Sequence, residues 1–259
     1  MDEEISYKKH GSGPPLILLH GFPMNRTIWN AFADRLSTDF TIYTPDLPGF
    51  GDSPLLAGEF SLSQVASVMN DWVKENHIVS PAVIGHSMGG YVAMEMVRQS
   101  PLSFSALGLF HSTAIDDSAE KKESRTKVLQ FVDDNGVLAF TSNFIQPLFA
   151  DQNHPAISTV KEITVQASAE AVKGYTRAMR DRDDTTEVLR AFGGPVLIIG
   201  GDSDKAIPAD SLTKQGGLNK NISVHILADT GHMGMVERLD ETSGIVRDFL
   251  LKIDQPWEA

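Results

Sequence analysis

The stretch Ala82-Val83-Ile84-Gly85-His86-Ser87-Met88-Gly89-Gly90 decides the reading of this chain. A short apolar run enters a turn rich in glycine, and from Gly89 to Gln99 the residues take up a helical period. Residues 85–89 form a G-x-S-x-G pentapeptide between a strand and a helix. A serine on so sharp a turn is held in strained backbone angles, tolerable when the positions two residues to either side carry no side chain. Its hydroxyl then stands clear of the sheet at a helix N-terminus, where backbone N–H groups favour a developing anion.

Outward from this turn, short apolar runs alternate with helical segments. The runs are 16–19, 40–43, 82–84, 106–110, 196–199 and 222–227, and most are apolar on both faces. The helical segments among them are 27–36, 62–75, 89–99, 209–215 and 235–251. This alternation predicts an α/β fold, a mostly parallel sheet covered by helices on both sides. It breaks once, over 114–190, where 121–133, 137–149, 157–179 and 185–192 all read as helical. The expectation is a core domain made of residues 1–113 and 191–259, with 114–190 inserted as a helical lid.

A serine hydroxyl is a poor nucleophile at neutral pH. It needs an imidazole to take its proton and a carboxylate to orient that imidazole. Of the eight histidines, His10, His77 and His154 do not follow a late strand, and His225 sits inside one. His86 adjoins the serine and is expected to pack beneath the turn. His111, at a strand end beside the lid, is open to two readings, cavity wall or strand cap. His232 lies in Asp229-Thr230-Gly231-His232-Met233-Gly234, a loop after the last strand. It is the expected base. The carboxylate is sought after the strand at 196–199, in Gly201-Asp202-Ser203-Asp204, where Asp204 is preferred and Asp202 is read as a turn former. Amides for an oxyanion are expected from Phe22, in His20-Gly21-Phe22-Pro23, and from Met88.

Together these residues resemble the α/β-hydrolase fold family, in its serine esterase-like members. The order Ser87, Asp204, His232 with His20-Gly21 upstream is that family's pattern. Asp46-Leu47-Pro48-Gly49-Phe50-Gly51-Asp52-Ser53 is similar to a D-x-P-G-x-G-x-S loop many members carry. Gly201, Asp204 and Ile207-Pro208 match a further family pattern that favours Asp204 over Asp202. One departure is Glu237-Arg238-Leu239, which lacks a proline often found there. The resemblance implies an α/β-hydrolase fold, a doubly wound sheet with an inserted lid. It also implies hydrolysis of small to medium carboxylic esters through an acyl-enzyme on Ser87, with no cofactor; the same triad would equally serve a lactone, thioester or carbon–carbon bond hydrolase or a perhydrolase, and a slow-turnover ligand receptor is the remaining alternative.

Composition narrows the rest. With 259 residues, 41% hydrophobic and 22% charged, the chain reads as globular. Its net charge of −12 argues against nucleic acid as a partner. No apolar run approaches the ~18 residues of a membrane span, and Met1-Asp2-Glu3-Glu4 lacks the order of a secretory signal, so the expected location is cytoplasmic. No Cys, no H-E-x-x-H and no paired histidines at helical spacing occur, so no metal is expected. The expected partner is a small ester-like molecule with an apolar portion, met by Met24, Phe144 and Met233. The run Lys121-Lys122-Glu123 with Arg125 and Lys127 reads as a solvated lid face.

Overall fold

The alternating apolar runs do form strands, and their two-residue period divides the core in two. In a computed structural model, which describes residues 4–253, seven strands make one sheet. They are β1 (Tyr7–His10), β2 (Pro15–Leu19), β3 (Thr41–Pro45), β4 (Ala82–His86), β5 (Ala106–Phe110), β6 (Val196–Gly201) and β7 (Ile222–Leu227). Their spatial order is β1-β3-β2-β4-β5-β6-β7; β1 pairs antiparallel with β3, and every other pairing is parallel. Ile17, Leu19, Val83, Leu107, Leu109, Val196 and Ile198 face one apolar cluster. Their neighbours Leu16, Leu18, Ile84, Phe110, Leu197 and Ile199 face the other.

The helices before the insertion are α1 (Asn30–Leu36), α2 (Leu62–Glu75) and α3 (Met88–Gln99). Helix α2 begins at a capping box in which the Ser61 side chain accepts from Gln64 N–H and Gln64 answers to the Ser61 N–H. Between β5 and β6 the chain forms α4 (Ala119–Asn135), α5 (Val137–Phe144), α6 (Ile157–Thr164), α7 (Ala169–Arg180) and α8 (Thr186–Ala191) and adds no strand. The helical reading of 157–179 is therefore split, because Ser168 caps a new helix through Ala171 N–H. After β6 come α9 (Ala209–Gly216), α10 (Gly234–Glu237) and α11 (Leu239–Leu251). Helices α2, α3 and α9 cover the first apolar cluster, and α1 and α11 cover the second.

From β2 the chain turns to β3 on one side and then crosses to β4 on the other. The order of winding thus reverses between β2 and β4, which is where open α/β sheets place their ligand crevice. His20-Gly21-Phe22, Ser87, His111, Asp204 and His232 all follow carboxyl ends of strands along this same edge. Among the described residues no helix is long and apolar enough to cross a membrane.

Candidate active site

Ser87 links β4 to α3 with φ 50° and ψ −116°, a left-handed backbone that a non-glycine residue adopts only under constraint. The glycines around it leave room that nothing else could. A Cβ on Gly89 would stand 2.5 Å from the Leu19 carbonyl oxygen and 2.6 Å from that of His20. A Cβ on Gly85 would strike the Gly89 carbonyl. The helix start is thereby seated directly on the end of β2, and Ser87 N–H is anchored to Phe110 O at 3.0 Å.

Asp204 is buried after β6. Its Oδ1 accepts from the Ala206 and Ile207 N–H groups at 2.8 and 3.0 Å. Its Oδ2 accepts from His232 Nδ1 at 2.8 Å and from His111 Nδ1 at 3.0 Å. Burial opposes the charge on this carboxyl, yet His232 and His111 outweigh it and hold the group far below the usual carboxylate range. An ionised carboxylate only accepts, so both imidazoles carry their proton on Nδ1. The basic nitrogen of His232 is then Nε2, on a ring that lines the same cavity as the half-buried Ser87. Asp202 behaves as a turn residue, its Oδ1 accepting from Ser203 Oγ at 2.9 Å.

His86 does lie beneath the turn. It is fully buried, and its Nε2–H donates to the His232 carbonyl oxygen at 2.9 Å, steadying the His232 loop from below. Burial, and then the neighbouring His232 and His111 rings, depress its pKa well below the ordinary value. At neutral pH it is an uncharged prop. His20 is likewise structural: its Nδ1–H donates to Gly21 O at 3.0 Å and its Nε2 accepts from Leu47 N–H at 2.9 Å. That ring ties the Phe22 turn to the glycine-rich loop after β3, which Asp46 braces through Arg26 and Asp52 N–H.

The cavity beside Ser87 has a volume of about 160 Å³. Phe22, Phe144 and His232 line it. Met24 and Met233 do not. Both are buried in the second apolar cluster with Trp29 and Phe110. The turn closed by Met24 N–H to Gly21 O at 3.0 Å carries Met24 back into the core, and Met233 faces away from its neighbour His232. Met88 is buried as the first residue of α3, and helix geometry leaves its N–H without an intrahelical acceptor.

The sequence reading leaves one residue of the site, His111, open and misses three others, Glu237, Lys121 and Arg125. His111 shares Asp204 with His232; it is neither simple cavity wall nor strand cap. Glu237 holds the His232 loop by accepting from Gly231 N–H at 3.1 Å and Met233 N–H at 3.0 Å, and it reaches Ala150 N–H at 2.8 Å. With His232 N–H on Leu148 O at 2.6 Å, this joins the loop to the insertion. Lys121 and Arg125 line the cavity, so this part of α4 is not a solvated face. An acid group five residues after a loop histidine is a readable signal for Glu237; for the other three, only the packing tells. His225 lies exposed on the edge strand β7 and is no part of the site.

Among the described residues His111, Asp204 and His232 are also the grouping whose ligand-type atoms could hold a metal ion, all within 4.8 Å of one another. Here the two Nδ1 protons already occupy the Asp204 oxygen.

A sequence model of the α/β-hydrolase family matches residues 16–244. The chain belongs to that family. This hydrolase is 28% identical to a thermophilic esterase from Thermogutta terrifontis, whose malate-bound structure superposes with a TM-score of 0.91 over 97% of this chain and 94% of that one. It is 25% identical to the pimeloyl-[acyl-carrier protein] methyl ester esterase of Vibrio parahaemolyticus over 96% of this chain and 99% of that protein. It is also 25% identical to the dihydrolipoyllysine-residue acetyltransferase component of an acetoin cleaving system from Cupriavidus necator, over 95% of this chain. Of that last relative the hydrolase spans 66% of the length, just under two thirds.

Proposed function

We propose that this hydrolase cleaves small carboxylic esters through an acyl-enzyme on Ser87. The reading rests on one observation: an ionised Asp204 fixes the Nδ1–H tautomer of His232, which makes Nε2 of a cavity-lining ring the available base. Ser87 Oγ attacks the ester carbonyl carbon while His232 Nε2 takes its proton. The tetrahedral oxyanion sits against the N–H groups of Phe22 and Met88. Collapse breaks the C–O bond to the leaving alcohol, which receives the proton back from His232. A water, deprotonated in the same way, then releases the acid.

The methyl ester esterase and the thermophilic esterase support ester hydrolysis as the reaction. The insertion 114–190 acts as the lid, contributing Phe140, Phe144 and Leu148 to the cavity wall. A cytoplasmic setting belongs to the same proposal. Because the cavity is small, kcat/KM over 4-nitrophenyl esters from acetate to decanoate peaks at acetate to butyrate, and drops about tenfold or more by octanoate. A profile rising steadily to decanoate contradicts a cavity of this size.

A further inference from the structure

The cavity wall contributed by α4 carries charge of one sign. Lys121 and Arg125, one helical turn apart, both line the space beside Ser87 and His232. Just behind them, Asp117 is fully buried between two guanidinium groups, pairing with Arg125 Nε and with Arg182 Nη1, the latter at 2.6 Å. Arg182 is further fixed over the Tyr91 ring, 4.1 Å from its centroid. Two guanidinium cations thus share one carboxylate. Among the described residues no carboxylate lies within ion-pair reach of Lys121; its Nζ donates to a carbonyl, Ala206 O, at 3.1 Å. An ammonium has three donors, and two of these are left for a ligand. Burial, ahead of its charged neighbours, lowers the Lys121 pKa, as expected of a cation held away from water. A positive cavity in a chain of net charge −12 cannot come from average composition.

We propose that the ester cleaved at Ser87 carries a carboxylate of its own, which Lys121 binds and Arg125 flanks. The substrate class is then the monoester of a short dicarboxylic acid. This inference rests on the ester-hydrolase reading. Its physical basis is desolvation. A neutral ester leaves the Lys121 ammonium in a confined space with one acceptor, whereas a carboxylate supplies the opposite charge and the missing acceptors. The apolar remainder of the wall, including Val128 and Met179, suits the methylenes that separate the two carbonyl carbons.

Binding can be measured apart from turnover by isothermal titration of a Ser87→Ala variant with monomethyl glutarate and with methyl 5-oxohexanoate. The second is a neutral ester of the same shape. The expected result is that the anionic ester binds about tenfold or more tightly than the neutral one. In the same background Lys121→Met removes most of that preference, and Lys121→Arg retains it. Equal affinity for the two esters, no detectable binding of monomethyl glutarate at millimolar concentration, or a folded Lys121→Met variant that keeps the preference overturns the proposal. Should Lys121→Met not fold, the contrast between the two esters in the Ser87→Ala protein decides alone. Wild-type turnover is scored separately. If the anionic preference in binding stands while neither ester is hydrolysed, the ester reading fails and the anion site does not.

Discussion

Ser87→Ala lowers kcat/KM for a simple activated ester such as phenyl acetate by about 10⁴-fold or more, while the melting temperature stays close to that of the unaltered protein. The loss is large because the hydroxyl is the only atom the scheme allows to bond the carbonyl carbon; without it, water must attack with help from the oxyanion amides and binding alone. Stability should hold because the strain at φ 50° belongs to any residue with a Cβ, and alanine carries that strain as serine does. The flanking contacts that force the turn, Gly89 against the Leu19 and His20 carbonyls, are unaffected. Steady-state assays beside a circular-dichroism melt separate lost chemistry from lost fold. A variant retaining a tenth of wild-type activity contradicts the role given to Ser87.

Asp204→Asn should cost about 10⁴-fold in kcat, the same order, for a different reason. The carboxylate accepts four hydrogen bonds, two from backbone N–H groups on Oδ1 and two from imidazoles on Oδ2. An amide accepts through one end only. If its oxygen stays with Ala206 and Ile207, its NH₂ meets two Nδ1–H groups and drives the imidazoles to the other tautomer. His232 Nε2 then carries the proton and is no longer a base. If the amide turns over, its NH₂ opposes two backbone donors. Both arrangements leave a buried donor unsatisfied, so the melting temperature falls as well. The stability that Asp204 contributes has a definite pH window. Its folded pKa is depressed, so the contribution is present above the ordinary carboxylate value of about 3.9 and is lost as pH falls through the folded value. The measurements are kcat for phenyl acetate and thermal melts of both proteins. Wild-type kcat in Asp204→Asn contradicts the account of tautomer control.

How much of this was legible without coordinates depends on whether a residue's role is local or made by packing. The turn at Ser87 was legible because the residues that permit it are its near neighbours: glycines at 85 and 89, two positions to either side, leave room for the close backbone approaches at the turn. The strands showed for a similar reason, since a sheet covered on both sides demands apolar residues in every run. β1 was missed. Three of its four residues are exposed at the sheet edge, so no apolar run marks it. His111 was undecided because its partner is 93 positions away, and the two meet only when β5 pairs with β6 and His111 N–H docks on Ile199 O at 2.7 Å. Lys121 and Arg125 were assigned to solvent because α4 is polar around most of its circumference and buries only Val132 fully. Which side of such a helix faces the site is set by its docking on α7, and no periodicity records that. Met24 and Met233 erred in the opposite direction: closeness in sequence to the site stood in for direction in space, and the core claimed both.

The central claim is that Ser87 is a hydroxyl activated by His232 across the cavity they share. Reaction of the folded protein with a small fluorophosphonate, followed by peptide mass mapping, tests it most directly, since these reagents phosphonylate a serine whose proton is being removed. The account predicts one adduct, on Ser87, absent from protein denatured beforehand and abolished by His232→Ala. An unlabelled Ser87, or labelling that survives the loss of His232 undiminished, would contradict it.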